Sequence, residues 1–136
     1  NVLYFFHAYT SHYAKEFSGE WQYGYKDSIS YIKQVESKYD QINITEELGR
    51  PYIYYLFYNK TNPQDFRSTA IVEREAAGFV NVTGFGKYRF GKDLSKIKRG
   101  ENTLYVNTPG KVPQNVNKLK TFYLLNKEEV LVIYTL

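Results

Sequence analysis

Apolar residues recur at spacings of three and four through Trp21, Tyr25, Ile29, Ile32, Val35 and Tyr39, and Lys26, Asp27, Lys33, Gln34, Ser37 and Lys38 fall between them. This is the pattern of an amphipathic helix, and Ser18 as N-cap with Glu20 in the first turn places its start. Residues 41–45 then alternate with period two, which predicts a strand. Pro51 suits a first helical position. The run 52–58 is apolar all round, which predicts a helix buried on most sides, with a buried strand as the other reading. Asn62, Pro63 and Asp65 read as N-cap, first helical residue and an acid at the positive end of the dipole, so a further helix is expected from Pro63 to about Ala76, ended by Gly78.

Beyond Gly78 the period is two again. Strands are expected over 79–83, 87–90 and 103–107, followed by a turn or single helical turn over 109–113. A terminal hairpin is expected from 119–125 and 130–135 around the turn 126–129. The fold class is therefore α/β (α+β), a single mixed sheet with helices packed on it and a C-terminal β-hairpin. The domain reading is a membrane-proximal segment over 1–17 and one soluble α/β domain over 18–136. The pattern leaves the strand order open.

Composition adds one strong feature: aromatic residues are 18% of the chain, with 15 Tyr and 9 Phe. Tyrosine works where one end is dry and the other wet, so much half-buried surface is expected. The net charge of +4 is spread along the chain, and only Lys96, Lys98 and Arg99 cluster. Nucleic-acid binding needs a concentrated basic face, so a solvated loop explains them and no nucleic-acid partner is expected. The absence of cysteine removes disulfides and thiolate chemistry. The chain begins at Asn1 and contains no methionine, so an upstream segment is expected. Val2 to Tyr9 is an apolar, aromatic opening, read either as the place where a membrane helix meets water or as a segment packed on the core.

No catalytic constellation emerges. His7 and His12 are five apart, a spacing that shares neither a helical nor a strand face. Glu46-Glu47 and Glu128-Glu129 are adjacent acids whose side chains diverge, better read as solvated turn charges than as acid/base pairs. Gly84-Phe85-Gly86-Lys87 lacks the spacing of a phosphate loop and precedes a strand, so a tight β-turn is expected. Asn-x-Thr triplets at Asn43, Asn59 and Asn81 are read as chance, with Asn59 the one placed suitably for a glycan. No metal and no cofactor are expected.

The segment His12-Tyr13-Ala14-Lys15-Glu16-Phe17-Ser18 leading into Glu20-Trp21-Gln22-Tyr23-Gly24-Tyr25-Lys26 resembles the stretch after the last membrane helix in bacterial and archaeal glycosyltransferases of the protein O-mannosyltransferase and aminoarabinose-transferase type. The likeness continues through Tyr39-Asp40-Gln41-Ile42, Gly49-Arg50-Pro51-Tyr52, Asn62-Pro63-Gln64-Asp65-Phe66, Phe85-Gly86-Lys87-Tyr88-Arg89-Phe90, Leu104-Tyr105-Val106 and the closing hairpin. The resemblance implies a non-catalytic, extracytoplasmic C-terminal domain of a mannosyltransferase-like membrane enzyme that takes its sugar from a polyprenyl-phosphate donor. Its partners would be the enzyme's own membrane-embedded portion and an acceptor glycan, lipid or protein. A carbohydrate or cell-surface glycan binding module is the alternative. Glu20-Trp21-Gln22-Tyr23-Gly24 also resembles the Trp-Trp-Asp-Tyr-Gly motif of oligosaccharyltransferases, with Glu20 in place of the first Trp and Gln22 in place of the Asp. That likeness makes Trp21, Gln22, Tyr23 and Tyr25 candidate acceptor or glycan contacts. The helical spacing instead makes Trp21 and Tyr25 core-facing residues.

Overall fold

The computed structural model describes residues 1–74 and 78–136. At its centre is the short alternating strand β1 (Gln41–Thr45). Ile42 and Ile44 enter the main apolar core on one face, while Asn43 and Thr45 are buried on the other. A strand covered on both faces suits parallel pairing. Both neighbours, β4 (Tyr88–Gly91) and β5 (Thr103–Asn107), run parallel to it, and Ile44 lies opposite Phe90 in one and Val106 in the other.

Strands β2 (Ile71–Arg74), β3 (Val80–Phe85), β6 (Asn117–Tyr123) and β7 (Glu129–Thr135) add on antiparallel at the flanks. The result is one mixed seven-stranded sheet in the order β2-β3-β4-β1-β5-β7-β6, closed by the C-terminal β6-β7 hairpin. The mixed α/β class and the hairpin are as expected.

Helices α3 (Tyr25–Val35) and α4 (Pro51–Asn59) cover one face of the sheet. Buried Tyr25, Ile29 and Ile32 recur at four and three along α3 and meet Ile42, Ile44, Leu104, Val106, Leu131 and Ile133. The opposite face holds a second cluster of Leu94, Tyr105, Val132 and Tyr134, with Ile97, Val112 and Val116 packed against it. Leu94, Ile97, Val112 and Val116 come from the β4-β5 and β5-β6 connections, which contain the single 3-10 turns Leu94–Lys96 and Pro109–Lys111, and Tyr105, Val132 and Tyr134 from β5 and β7.

Several local expectations meet a correction. Helix α3 starts at Tyr25 rather than near Ser18, because Gln22 (φ 53°) and Gly24 (φ 104°) both lie in the left-handed region and interrupt any helix there. Ser18 is not an N-cap. It is buried, and its hydroxyl donates to the Lys15 carbonyl at 3.0 Å. Helix α4 is helical as expected but not buried on most sides: Tyr55 is fully buried, while Phe57 is 73% exposed and Ile53 half exposed.

Helix α5 (Pro63–Thr69) begins as read, with the Asn62 side chain accepting from the Gln64 N–H at 2.8 Å. It ends at Ala70, because the β-branched Ile71 and Val72 pair with β3 as strand β2. Residues 75 and 76 of the expected helix lie outside the described residues. The expected tight turn is present but confined to Gly86 and Lys87, with Gly86 at φ 49°, since Gly84 and Phe85 pair with Arg89 and Tyr88 as the end of β3.

The chain enters this domain through a helical stem made of α1 (Val2–His7), a π-helical stretch (Ala8–Tyr13) and α2 (Ala14–Glu16), and the stem buries none of its residues. The reading of a segment packed on the core is thereby corrected. No helix among the described residues is long and apolar enough to cross a membrane.

Tyr55 ties α4 to the sheet, its ring lying 5.2 Å from Tyr88 and 6.0 Å from Phe90. Its hydroxyl is buried with no partner among the described residues, and burial pushes its pKa well up, helped by the neighbouring Tyr25 and Tyr88. The ring and the hydroxyl should therefore have opposite effects on stability. Tyr55→Ala is expected to cost about 3 to 5 kcal/mol as a large-to-small core change. Tyr55→Phe removes only an uncompensated polar group and is expected to leave the thermal midpoint unchanged or raise it. A melt of the two variants beside the parent checks both signs.

Candidate binding site

The residues between the stem and α3 form a folded turn rather than a helix. Gln22 N–H donates to Gly19 O at 2.9 Å and Tyr23 N–H to Ser18 O at 3.0 Å. The Gln22 side chain then reaches across to the loop after β1, where its amide N–H donates to Leu48 O at 2.7 Å. Gly49, itself at φ 113°, leaves room for that contact, since a Cβ there would lie 2.7 Å from Gln22 Nε2. Gly24 closes the turn, and a Cβ on it would lie 2.8 Å from Val130 Cγ1. A non-glycine residue held in the left-handed region is costly and persists where its surroundings over-determine it.

This turn holds Trp21 outward at 70% exposure, with Tyr23 also exposed. The helical spacing that made Trp21 a core residue is coincidental, because no helix continues from Trp21 into Tyr25. Tyr25 does face the core, and its ring stacks on Tyr54 at 4.9 Å and 6°. All four candidate contacts, Trp21, Gln22, Tyr23 and Tyr25, line one pocket of about 310 Å³ together with Lys26 and Asp27 from the first turn of α3 and Tyr54 and Tyr58 from α4. Trp21 and Tyr23 also border a second, more apolar hollow of about 530 Å³, which runs along the stem past Tyr9 and Tyr13 to Leu125.

The smaller pocket combines aromatic walls with two charged side chains. Its aromatic walls offer stacking faces, Asp27 supplies an acceptor and Lys26 a donor, and the Gln22 amide nitrogen is already engaged by Leu48. The Tyr25 hydroxyl has no partner among the described residues, and burial, with Tyr54 and Glu46 adding to it, raises its pKa so that it stays protonated.

The other sequence candidates separate clearly. His7 and His12, five apart, are brought face to edge at 5.4 Å by the intervening π-helical stretch, which corrects the reading that they share no face. A π-turn is the one helical geometry that aligns such a spacing, and nothing in the sequence announces it. Both histidines are exposed, and His12 Nδ1 lies 3.8 Å from Glu16 Oε1. No group of three metal-ligating side chains is found among the described residues.

Glu46 and Glu47 diverge as expected of adjacent residues but are not simply solvated. Glu46 accepts from Asn81 at 3.3 Å and Glu47 pairs with Lys111 at 2.7 Å. Asn59 is a poor glycan acceptor after all. Its amide N–H donates to the Tyr88 hydroxyl at 3.3 Å, and its carbonyl oxygen is buried. The contact between Tyr88 and Glu36, in which the phenol donates to the carboxylate, was invisible in the sequence because 52 positions separate the two residues. Comparison with protein-family models, curated proteins and solved structures finds no match.

The exposed Trp21 and the confined Gly24 lead to opposite expectations. Trp21→Ala should leave stability within about 0.5 kcal/mol, as surface changes do. Gly24→Ala should cost about 1 to 3 kcal/mol, because it places a Cβ against Val130 at a positive φ. Thermal melts of both variants test the pair, and a large loss from Trp21→Ala would return that ring to the core.

Proposed function

We propose that the chain is a non-catalytic, extracytoplasmic accessory domain of a membrane glycosyltransferase that uses a polyprenyl-phosphate sugar donor. One observation carries the reading: the uncovered aromatic stem, which has no charged side chain before Lys15, leads directly into a constrained turn that presents Trp21 and Tyr23 beside a pocket. Aromatic side chains of this kind gather at membrane-water interfaces. A domain joined there to a membrane-embedded transferase portion would hold its pocket where an acceptor approaches. The coding sequence upstream of Asn1 tests the proposal. Several apolar spans of about twenty residues support it, and a soluble upstream region overturns it.

The pocket itself favours a second reading, a carbohydrate or cell-surface glycan binding module, since tyrosine and tryptophan faces beside a carboxylate and an ammonium suit a polyhydroxylated ligand. Trp21, the only tryptophan, is a built-in reporter. Titration with glycans and with short-chain polyprenyl-phosphate sugars is expected to give a saturable change in its fluorescence. Tyr23→Ala, at an exposed position of the pocket wall, should abolish that change without shifting the melt by more than a surface substitution does. No change at millimolar ligand would contradict the binding role, and sugar transfer by the purified chain would contradict the non-catalytic one.

A further inference from the structure

The stem of residues 2–16 varies in polarity along its axis rather than around it. Val2, Leu3, Tyr4, Phe5 and Phe6 are consecutive, so at about 100° per residue they cover every side of the helix, and all five are exposed, Leu3 at 86%. A groove on a protein covers one face of a helix, and a ring of apolar side chains is covered completely only by a medium that surrounds it. Next come residues of mixed character, including His7, Tyr9, Thr10, His12 and Tyr13. The first charged side chains are Lys15 and Glu16.

This order of apolar, amphipathic and charged residues is the order met on leaving a bilayer. The distances agree. Val2 to Phe6 rises about 6 Å at 1.5 Å per residue. Tyr9 to Tyr13 lies on the π-helical stretch, which rises less per residue than an α-helix, so it adds somewhat under about 6 Å, the scale of one interfacial layer. Phe5, Tyr9, Tyr13 and Phe17 form a continuous ladder of rings, with centroids 5.9, 5.4 and 4.8 Å apart. The ladder stiffens the stem along this axis.

We infer that the stem enters a lipid bilayer end-on, with Val2 to Phe6 among the acyl chains, Tyr9 and Tyr13 at the headgroups, and Trp21 just outside. An interfacial helix lying flat would need a polar face beside its apolar one, and the first turns of this stem have none. The inference deepens the membrane placement proposed above and rests on it for the identity of the membrane, but its geometry is tested on the chain itself.

The experiment uses phosphatidylcholine-phosphatidylglycerol vesicles containing lipids brominated near the headgroup or deep in the chain. Tryptophan quenching is read in the parent and in Phe5→Trp and Tyr13→Trp, each made on a Trp21→Phe background. Deep bromines are expected to quench the Phe5→Trp variant most and shallow bromines the Tyr13→Trp variant most, with the parent quenched least by either. Leu3→Asp combined with Phe6→Asp should weaken vesicle binding by more than about tenfold, while Ile53→Asp, an exposed apolar site on α4, should leave it unchanged. Equal depth at positions 5 and 13, no vesicle binding, or stem burial in a concentration-dependent dimer would each overturn the end-on geometry. None of these results bears on the upstream coding sequence, so the two proposals fail separately.

Discussion

The double burial of β1 organises the molecule. Five residues lie between two parallel neighbours, and four of them are shut away from solvent: Ile42 and Ile44 beneath the helices, Asn43 and Thr45 on the reverse face. Parallel neighbours on both sides require long crossovers, and these crossovers cover the two faces. The connection from β1 to β4 carries α4 and α5, while the one from β4 to β5 supplies Leu94 and Ile97 to the reverse face. Polar groups buried on that face call for partners: Gln41 donates to Asn43 Oδ1 at 2.8 Å and to Lys98 O at 2.8 Å, while Asn43 Nδ2 is buried with no partner among the described residues. The loop leaving β1 then fixes the candidate site, because Leu48 O holds Gln22 and so sets the turn that carries Trp21.

Much of this was legible wherever the determinant is local. The Tyr25, Ile29, Ile32 repeat, the alternation of β1, the Asn62 cap and the terminal hairpin are all written within a few residues, and each appears where the pattern put it. The failures share a different cause. The start of α3 depends on Gln22 in a left-handed conformation held by a residue 26 positions away, and a spacing rule that counts Trp21 into the helix cannot sense that contact. Helix α5 stops early because β3 offers Ile71 and Val72 a strand partner. The π-helical alignment of His7 with His12 has no side-chain signature at all. The four candidate contacts were named from a resemblance, and it is the long-range turn geometry that gathers them into one pocket.

Strain and exposure coincide in that turn. Gln22 at a positive φ costs stability, while Trp21 and Tyr23 beside it bury little in return. Such a conflict between local preference and global packing is expected where function rather than folding sets the sequence. The stem shows the same conflict on a larger scale, with its apolar side chains uncovered and no contribution to the core. The sheet thus carries a strained aromatic turn, and Trp21 and Tyr23 of that turn border the same hollow as Tyr9 and Tyr13 of the stem, the arrangement on which the proposed membrane-edge role rests.

Hydrogen exchange on the vesicle-bound chain, with and without a short-chain polyprenyl-phosphate sugar, tests that account most directly. Membrane binding should slow exchange in residues 2–13. The sugar should then slow it in residues 21–27 and 54–58, with β1 equally protected throughout. Protection that appears instead around Glu46 to Arg50, or that is confined to the sheet, would contradict the account.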